Sequence, residues 1–459
     1  MPSGQEVFVL DAKLKEVILA MNPWLLEPGR WSELVAEKLP ATYAARDADR
    51  IADSEWGALD RAHMVVGPRQ AGKSSLVWRH LAQAKPRVLF MNMEEPRIRA
   101  WCESPAVFVK ELKECFSPLD VLFVDEVQHV DEAGLFVKGV VDLRPGCRFL
   151  VTGSSSYHLR GRTRESLAGR ATRTTLYPFS FSECLQASRR GSGAFDQRPE
   201  VAGRAVAESI ASEALKRHVR FGGYPKAWLG DAPEKTLDEL VEAFLLRDAS
   251  DFFKIKRPDA LRRLLGLMAA QTGALVNVSE WASLCGISRN TVLEYVQIIE
   301  DAHLAALLPV FAAGKRAELT ASRKVFFVDN GIRNAILRDF RAPEDRVDTG
   351  ASWENWVFSE LRKRVGPAEG LHYWRTKSGA EVDFVFDTGR GVVGVEVKAA
   401  VLGGPRLSRS SRSFIDAYQP REFLVVNRSF SHHETVSGCP VRWLKFSELP
   451  GWPIETPRQ

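Results

Sequence analysis

Cysteines are few and scattered. Cys102, Cys115, Cys147, Cys184, Cys285 and Cys439 contain no pair at zinc-ligand spacing. That argues against a disulfide-stapled secreted scaffold and against a zinc ribbon, and it fits a reducing cytoplasm. Long apolar runs are absent too: none reaches the roughly 20 residues that a membrane-spanning helix needs. The first residues, Met1-Pro2-Ser3-Gly4-Gln5-Glu6, lack the basic-then-apolar pattern of a secretory signal, so a cytoplasmic location is expected. Nor is there a strong excess of one charge. Lys and Arg number 63 against 58 Asp and Glu, a net charge of +5, which permits a nucleic-acid partner without demanding one. Apolar content of 45% and charged content of 26% are ordinary for globular chains, and 459 residues suffice for two or three domains.

What is present starts with Gly67-Pro68-Arg69-Gln70-Ala71-Gly72-Lys73-Ser74, a phosphate-binding loop of the form G-x-x-x-x-G-K-S. The apolar run Ala62-His63-Met64-Val65-Val66 precedes it, and Ser75-Leu76-Val77-Trp78-Arg79-His80-Leu81 follows with helical spacing. Strand, glycine loop and helix are the context the motif requires. The glycines let backbone N–H groups turn inward, and the helix N-terminus adds positive potential where phosphates would sit. Lys73 is the candidate for the outer phosphates of ATP, and Ser74 for Mg²⁺.

A second element separates hydrolysis from binding alone. Leu119 to Val124 is a mostly apolar strand that ends in Asp125-Glu126. Such strand ends open into the crevice at the carboxyl edge of a parallel sheet. Asp125 is the candidate Mg²⁺ holder and Glu126 the residue that polarises or orients the attacking water. A third strand, Arg148 to Thr152, leads into Gly153-Ser154-Ser155-Ser156. Ser154 is either a γ-phosphate sensor or part of a serine-rich turn. The link after it is basic: Arg160, Arg162, Arg164, Arg170 and Arg173 stand against Glu165 alone. It reads as a solvated or DNA-facing loop, or as the source of an arginine finger, Arg170, that completes a neighbouring subunit's site in a homo-oligomer.

The expected architecture is α/β, in five parts. Residues 1–60 form a helical arm with helices over Leu10–Met21, Trp31–Lys38 and Ala44–Leu59. Residues 61–190 form the P-loop core, a parallel sheet covered by helices. Residues 191–258 form a helical lid or linker. Residues 259–349 carry a winged-helix pattern: Val278–Leu284, the turn Gly286-Ile287-Ser288, and a recognition-type helix over Arg289–Glu300, with wing strands over Leu304–Phe311. Arg289, Asn290 and Thr291 are the candidates for the major groove. Acidic Glu294, Glu300 and Asp301 favour the other use of such modules, protein–protein contact.

Residues 350–459 read as helix, three strands, helix, strand. Asp383 lies on the second strand and Glu396-Val397-Lys398 on the third, so Glu396 and Lys398 share a face. Asp383 and Glu396, joined by Glu354 from the opening helix, are a candidate oxygen-ligand set for Mg²⁺ or Mn²⁺. Lys398 would then position or activate the nucleophile of a phosphodiesterase reaction. The alternative is a nuclease-like fold kept only for binding.

Taken together, these motifs resemble the predicted prokaryotic ATPases that join an AAA+-like P-loop core to a C-terminal domain of uncharacterised function. The resemblance covers most of the chain. It rests on the P-loop, Val124-Asp125-Glu126, Thr152-Gly153-Ser154-Ser155, Leu167-Ala168-Gly169-Arg170 and Tyr177-Pro178-Phe179-Ser180-Phe181-Ser182-Glu183. It continues through Gly222-Gly223-Tyr224-Pro225, Leu246-Arg247-Asp248, Trp353-Glu354-Asn355 and Glu381-Val382-Asp383-Phe384. Glu396-Val397-Lys398 resembles restriction-endonuclease-like nucleases, archaeal junction resolvases included. Asn22-Pro23-Trp24 resembles a longer-armed subset. The resemblance implies an oligomeric ATPase acting on DNA, in repair, recombination, junction migration or defence. A nucleotide-gated switch for protein partners is the competing class.

Overall fold

The computed structural model describes residues 10–84, 86–153, 167–190, 204–246, 255–311, 322–365 and 370–454. They form two compact units, Met1–Leu176 and Tyr177–Gln459.

The first unit is built on five parallel strands: β1 (Ala62–Val66), β2 (Val88–Asn92), β3 (Val121–Asp125), β4 (Arg148–Gly153) and β5 (Ala171–Thr175), in the order β2-β3-β4-β1-β5. Every residue of β1 and β3 is buried, as expected of parallel strands covered on both faces. On one face lies α4 (Lys73–Ala84), burying Leu76, Val77, Trp78 and Leu81. On the other lie α5 (Pro96–Trp101), α6 (Pro105–Phe116) and α7 (Ala133–Asp142), burying Ile98, Phe108, Leu112, Phe136 and Val140.

The arm belongs to this unit's core. Its helices are α1 (Ala12–Met21), α2 (Trp31–Ala36) and α3 (Asp47–Glu55), the last shorter than its charge pattern suggested. Trp24 meets Trp31 and Trp78 edge-on at 5.6 and 5.4 Å between ring centres, within the range where aromatic pairs attract. Asn22 meets the edge strand β2 as a neighbouring strand would. Its side-chain amide donates to the Phe90 carbonyl (2.8 Å) and its carbonyl oxygen accepts from the Phe90 N–H (2.6 Å). The Trp24 indole donates to the Val88 carbonyl at 2.9 Å.

The second unit begins before the expected boundary at 190. Helix α8 (Phe181–Arg190) bonds within it: the Phe181 N–H donates to Glu360 (3.1 Å), and Trp228 donates to the Cys184 carbonyl (3.1 Å). Helices α9 (Arg204–Phe221), α10 (Pro225–Leu229), α11 (Pro233–Ala243), α12 (Pro258–Ala270), α13 (Val278–Cys285) and α14 (Arg289–Asp301) follow. One hydrophobic core runs from Phe221 through Leu237, Leu264, Trp281 and Ile299 to Ala335, spanning the stretches read from sequence as linker and winged helix. The helix-turn-helix is present. Gly286, at φ +65°, closes α13, and the Ile287 N–H reaches back to Ala282.

The wing differs from expectation. Only Ala305–Leu308 (β6) is a strand, and it pairs antiparallel with β7 (Lys324–Phe327). Residues 309–311 join a different sheet. The Phe311 N–H donates to the Tyr373 carbonyl (2.6 Å) and the Tyr373 N–H to the Pro309 carbonyl (3.0 Å). After α15 (Asn330–Leu337) and α16 (Thr349–Arg364) come β8 (His372–Arg375), β9 (Glu381–Asp387), β10 (Val392–Lys398), α17 (Arg409–Tyr418), β11 (Glu422–Asn427), β12 (His432–Val436) and β13 (Cys439–Lys445). The helix, three strands, helix, strand order is thus observed, in a mixed sheet ordered β12-β13-β11-β10-β9-β8. Helix α16 is not free-standing. Asn355 bonds both the N–H and the carbonyl of Phe327, and Ser359 donates to the Val328 carbonyl. Among the described residues, no helix is long and apolar enough to cross a membrane.

Candidate functional site

The loop after β1 turns where only glycine fits. Gly67 has φ +151°, and a Cβ there would lie 2.1 Å from the Leu176 carbonyl oxygen. Gly72, at φ +96°, delivers the chain into α4, which opens with Lys73 and continues through Ser74 and Ser75. Pro68, Arg69, Gln70 and Ala71 complete the loop. Gln70 is left-handed at φ +59°, and Arg69 stands 3.6 Å from Glu94. Lys73 is buried and its ammonium donates to the Pro68 carbonyl at 3.0 Å.

The order β3-β4-β1 brings Asp125 and the loop to the same carboxyl edge. Ser74 Oγ donates to Asp125 Oδ1 at 2.9 Å. Thr152, at the end of β4, donates to the same carboxylate oxygen. The Thr152 hydroxyl also accepts the Glu126 N–H at 3.1 Å. Gln128 in turn donates to the Glu126 carboxylate. Ser74, Asp125, Thr152, Glu126 and Gln128 therefore form one connected chain. Burial, reinforced by Glu126, raises the Asp125 pKa despite the Thr152 and Ser74 bonds and the Lys73 charge. Burial pushes Glu126 up as well, but the Lys73 charge, the Gln128 bond and the Arg69 charge outweigh it. Its carboxyl stays below the ordinary glutamate range.

The side chains suit a magnesium–nucleotide complex. Ser74 and Asp125 are hard oxygen donors already adjacent, and Lys73 is a buried cation beside the loop. Sequence reading missed three contributors. Thr152 and Gln128 are ordinary polar residues until the strands are paired. Arg46, from the arm, is buried and donates to the Ala71 carbonyl inside the loop at 2.9 Å.

Comparison with known proteins agrees with this geometry. Residues 60–185 match the family model described as an AAA domain. The N-terminal unit is an AAA+-like P-loop ATPase. Residues 212–342 and 349–442 of the ATPase match two domains of unknown function, DUF8612 and DUF4143. An uncharacterised protein of Mycobacterium tuberculosis is 29% identical over 398 residues, 83% of this chain and 81% of that one. An uncharacterised protein of Methanocaldococcus jannaschii is 25% identical over 388 residues, 82% of each. Among solved structures, the Walker-type ATPase of Pyrococcus abyssi is similar over 65% of this chain and 97% of its own, at 13% identity and TM-score 0.43. DnaA of Aquifex aeolicus bound to AMPPCP is similar over 56% and 89%, at 14% identity and TM-score 0.25.

One further candidate of the ATPase, Arg170, lies apart from the loop. Arg170 precedes β5 at the opposite, amino edge of the sheet. Its carbonyl accepts the Ala62 N–H (2.8 Å) and its guanidinium pairs with Asp142 at 2.6 Å. The five residues of β1 put it roughly 16 Å from its own P-loop, at about 3.3 Å per residue. Ser154 lies outside the described residues.

The C-terminal carboxylates lie near one another but are engaged by protein groups rather than open to a metal as expected. Asp383 accepts the Val397 N–H at 2.7 Å. Glu396 pairs with Lys398 at 2.5 Å and takes the Ser408 and Ser411 hydroxyls on its other oxygen. Glu354 is turned to Lys324, at 3.3 Å, and Lys324 also meets Glu381 at 2.5 Å. Among the described residues no group of three or more ligand side chains is arranged to hold a metal. The set Glu354, Asp383 and Glu396 is a poor fit for a divalent ion, because Lys324 holds one oxygen of Glu354, the Val397 N–H one oxygen of Asp383, and Lys398 and two serines both oxygens of Glu396. Burial and the Asp383 charge raise Glu354 to about 8, against the pull of Lys324, and burial raises Asp383 to about 6. Burial lowers Lys324, but its carboxylate neighbours outweigh that and raise it to about 12.

Proposed function

We propose that this ATPase couples hydrolysis to work on DNA, with branched DNA of repair, recombination or junction migration as the substrate class. One observation carries the hydrolytic part: the unbroken chain from Ser74 through Asp125 and Thr152 to Glu126. In this reading Lys73 meets the outer phosphates and the P-loop N–H groups cradle the rest. Ser74 and Asp125 would hold Mg²⁺, which when bound supplies charge neutralisation of the phosphates. Glu126, held ionised, orients the attacking water, and Ser154 senses the γ-phosphate. Arg170, facing away from its own loop, completes the site of a neighbouring copy, so the working form is a homo-oligomer.

The net charge of +5 and the exposed Arg289 and Asn290 at the start of α14 support DNA as the target. The C-terminal domain serves in this reading to hold DNA, without cleaving it. The test is a mobility-shift series on linear, single-stranded, forked and four-way DNA across salt, with Mn²⁺ present. Binding that weakens steeply with salt, with uncut DNA, is expected. Cleavage lost in Lys398→Ala would restore the nuclease reading. A second reading, a nucleotide-gated switch for a protein partner, has its own support: Leu284 and Leu293 of the helix-turn-helix are 54% and 52% exposed, beside Glu294. DNA affinity indifferent to salt, or absent, would favour it.

A further inference from the structure

The carboxylate cluster of the C-terminal domain already has a cation, supplied by the wing. Lys324 is the first residue of β7 and is 3% exposed. Its ammonium touches Glu354 from α16 and Glu381 from β9, and it lies 5.6 Å from the centre of the Tyr373 ring. Three elements distant in sequence thus converge on one nitrogen. The enclosure is tied from both sides. Tyr373 pairs through its backbone with Pro309 and Phe311, and its hydroxyl donates to the Ser322 carbonyl. Arg375 braces Glu381 at 3.0 Å.

Partly buried carboxylates from different elements repel one another, and a positive charge among them offsets that repulsion. Metal-dependent sites leave that position to an ion. Here a side chain fills it, with donors directed at two of the carboxylates. We propose that Lys324 is the resident cation of this cluster, standing where a divalent metal would otherwise be needed, so that the domain holds its structure without metal. The proposal is independent of ATP turnover and of what the ATPase acts on.

The test uses the nucleotide-free full-length protein and reads Mn²⁺ binding by electron paramagnetic resonance and thermal melting in EDTA or Mn²⁺. The wild type is expected to melt alike in both and to show no Mn²⁺ binding sensitive to Asp383→Asn. Lys324→Ala empties the position. It should gain about tenfold or more in Mn²⁺ affinity, with a Mn²⁺-dependent rise in melting temperature. Lys324→Arg keeps the charge and should behave as wild type. Wild-type Mn²⁺ binding that disappears in Asp383→Asn would overturn the proposal. So would a folded Lys324→Ala protein that gains no Mn²⁺ affinity. If Lys324→Ala does not fold, the wild-type titration against Asp383→Asn decides between the same two outcomes.

Discussion

Thr152→Val removes one oxygen and keeps the shape of the side chain. That oxygen does two jobs: it donates to the buried Asp125 carboxylate and accepts the Glu126 N–H. A hydrogen bond to a charged group contributes about 1.5–3 kcal/mol, and an ordinary one about 0.5–1.5 kcal/mol. The variant should therefore lose roughly 2–4 kcal/mol at neutral pH, a fall of roughly 4–16 °C in the transition of the N-terminal unit. Nucleotide binding should change little, since Lys73 and the loop backbone are untouched. Turnover should fall by up to roughly 100-fold, because Glu126 loses the bond that aims it. The stability gap should close in acid. Thr152 favours the ionised Asp125, whose pKa is raised, so the gap begins to close above the ordinary aspartate range. The assays are melting with and without ADP, fluorescent-nucleotide titration, and steady-state ATPase rate from pH 5 to 8. Thr152→Ser should restore both stability and rate. A Thr152→Val protein with wild-type melting and turnover would refute the linking role.

Lys73→Ala should abolish nucleotide binding, while Glu126→Gln should bind ATP normally and stop hydrolysing it; equal loss of binding in both, by titration, would make Glu126 structural. Mixing Arg170→Ala with Lys73→Ala subunits should recover part of the ATPase rate at interfaces that pair an intact P-loop with an intact arginine, and full activity in a dilute monomer would refute the trans role. Glu354 and Asp383 have folded pKa values raised above their unfolded ones, so the folded state binds more protons between about pH 4 and 8. Stability of the C-terminal unit should accordingly fall as pH rises through that window. Glu354→Gln should flatten the slope, as read by melting temperature against pH.

Short-range signals carried the nucleotide site. The apolar run into Gly67 and the apolar run into Asp125 each announce a strand end, and parallel pairing then brings both ends to one edge. Thr152 was written in the same stretch, but its role depends on β4 lying between β3 and β1, which no local pattern reveals. Arg46 was hidden for a similar reason, since a charged helical arm looks like a solvated face until it packs. The C-terminal motif was legible as elements, while the partners of its carboxylates were not. Asp383 and Glu396 do lie on neighbouring antiparallel strands. Lys324, however, comes from well before the domain's apparent start, on a strand that pairs with β6 of the wing. A carboxylate pattern specifies charge that must be balanced; it does not say by what.

The edge of the ATPase sheet has a further consequence. An uncapped parallel edge strand is a template for cross-chain pairing. At β2, Asn22 and Trp24 consume the groups of Phe90 and Val88 that such pairing would use. Copies therefore cannot pair strand to strand through β2, and the sheet cannot grow on that side into a continuous ribbon. The order of synthesis helps as well. Asn22 precedes Phe90 in the chain, so the cover is synthesised before the edge it covers.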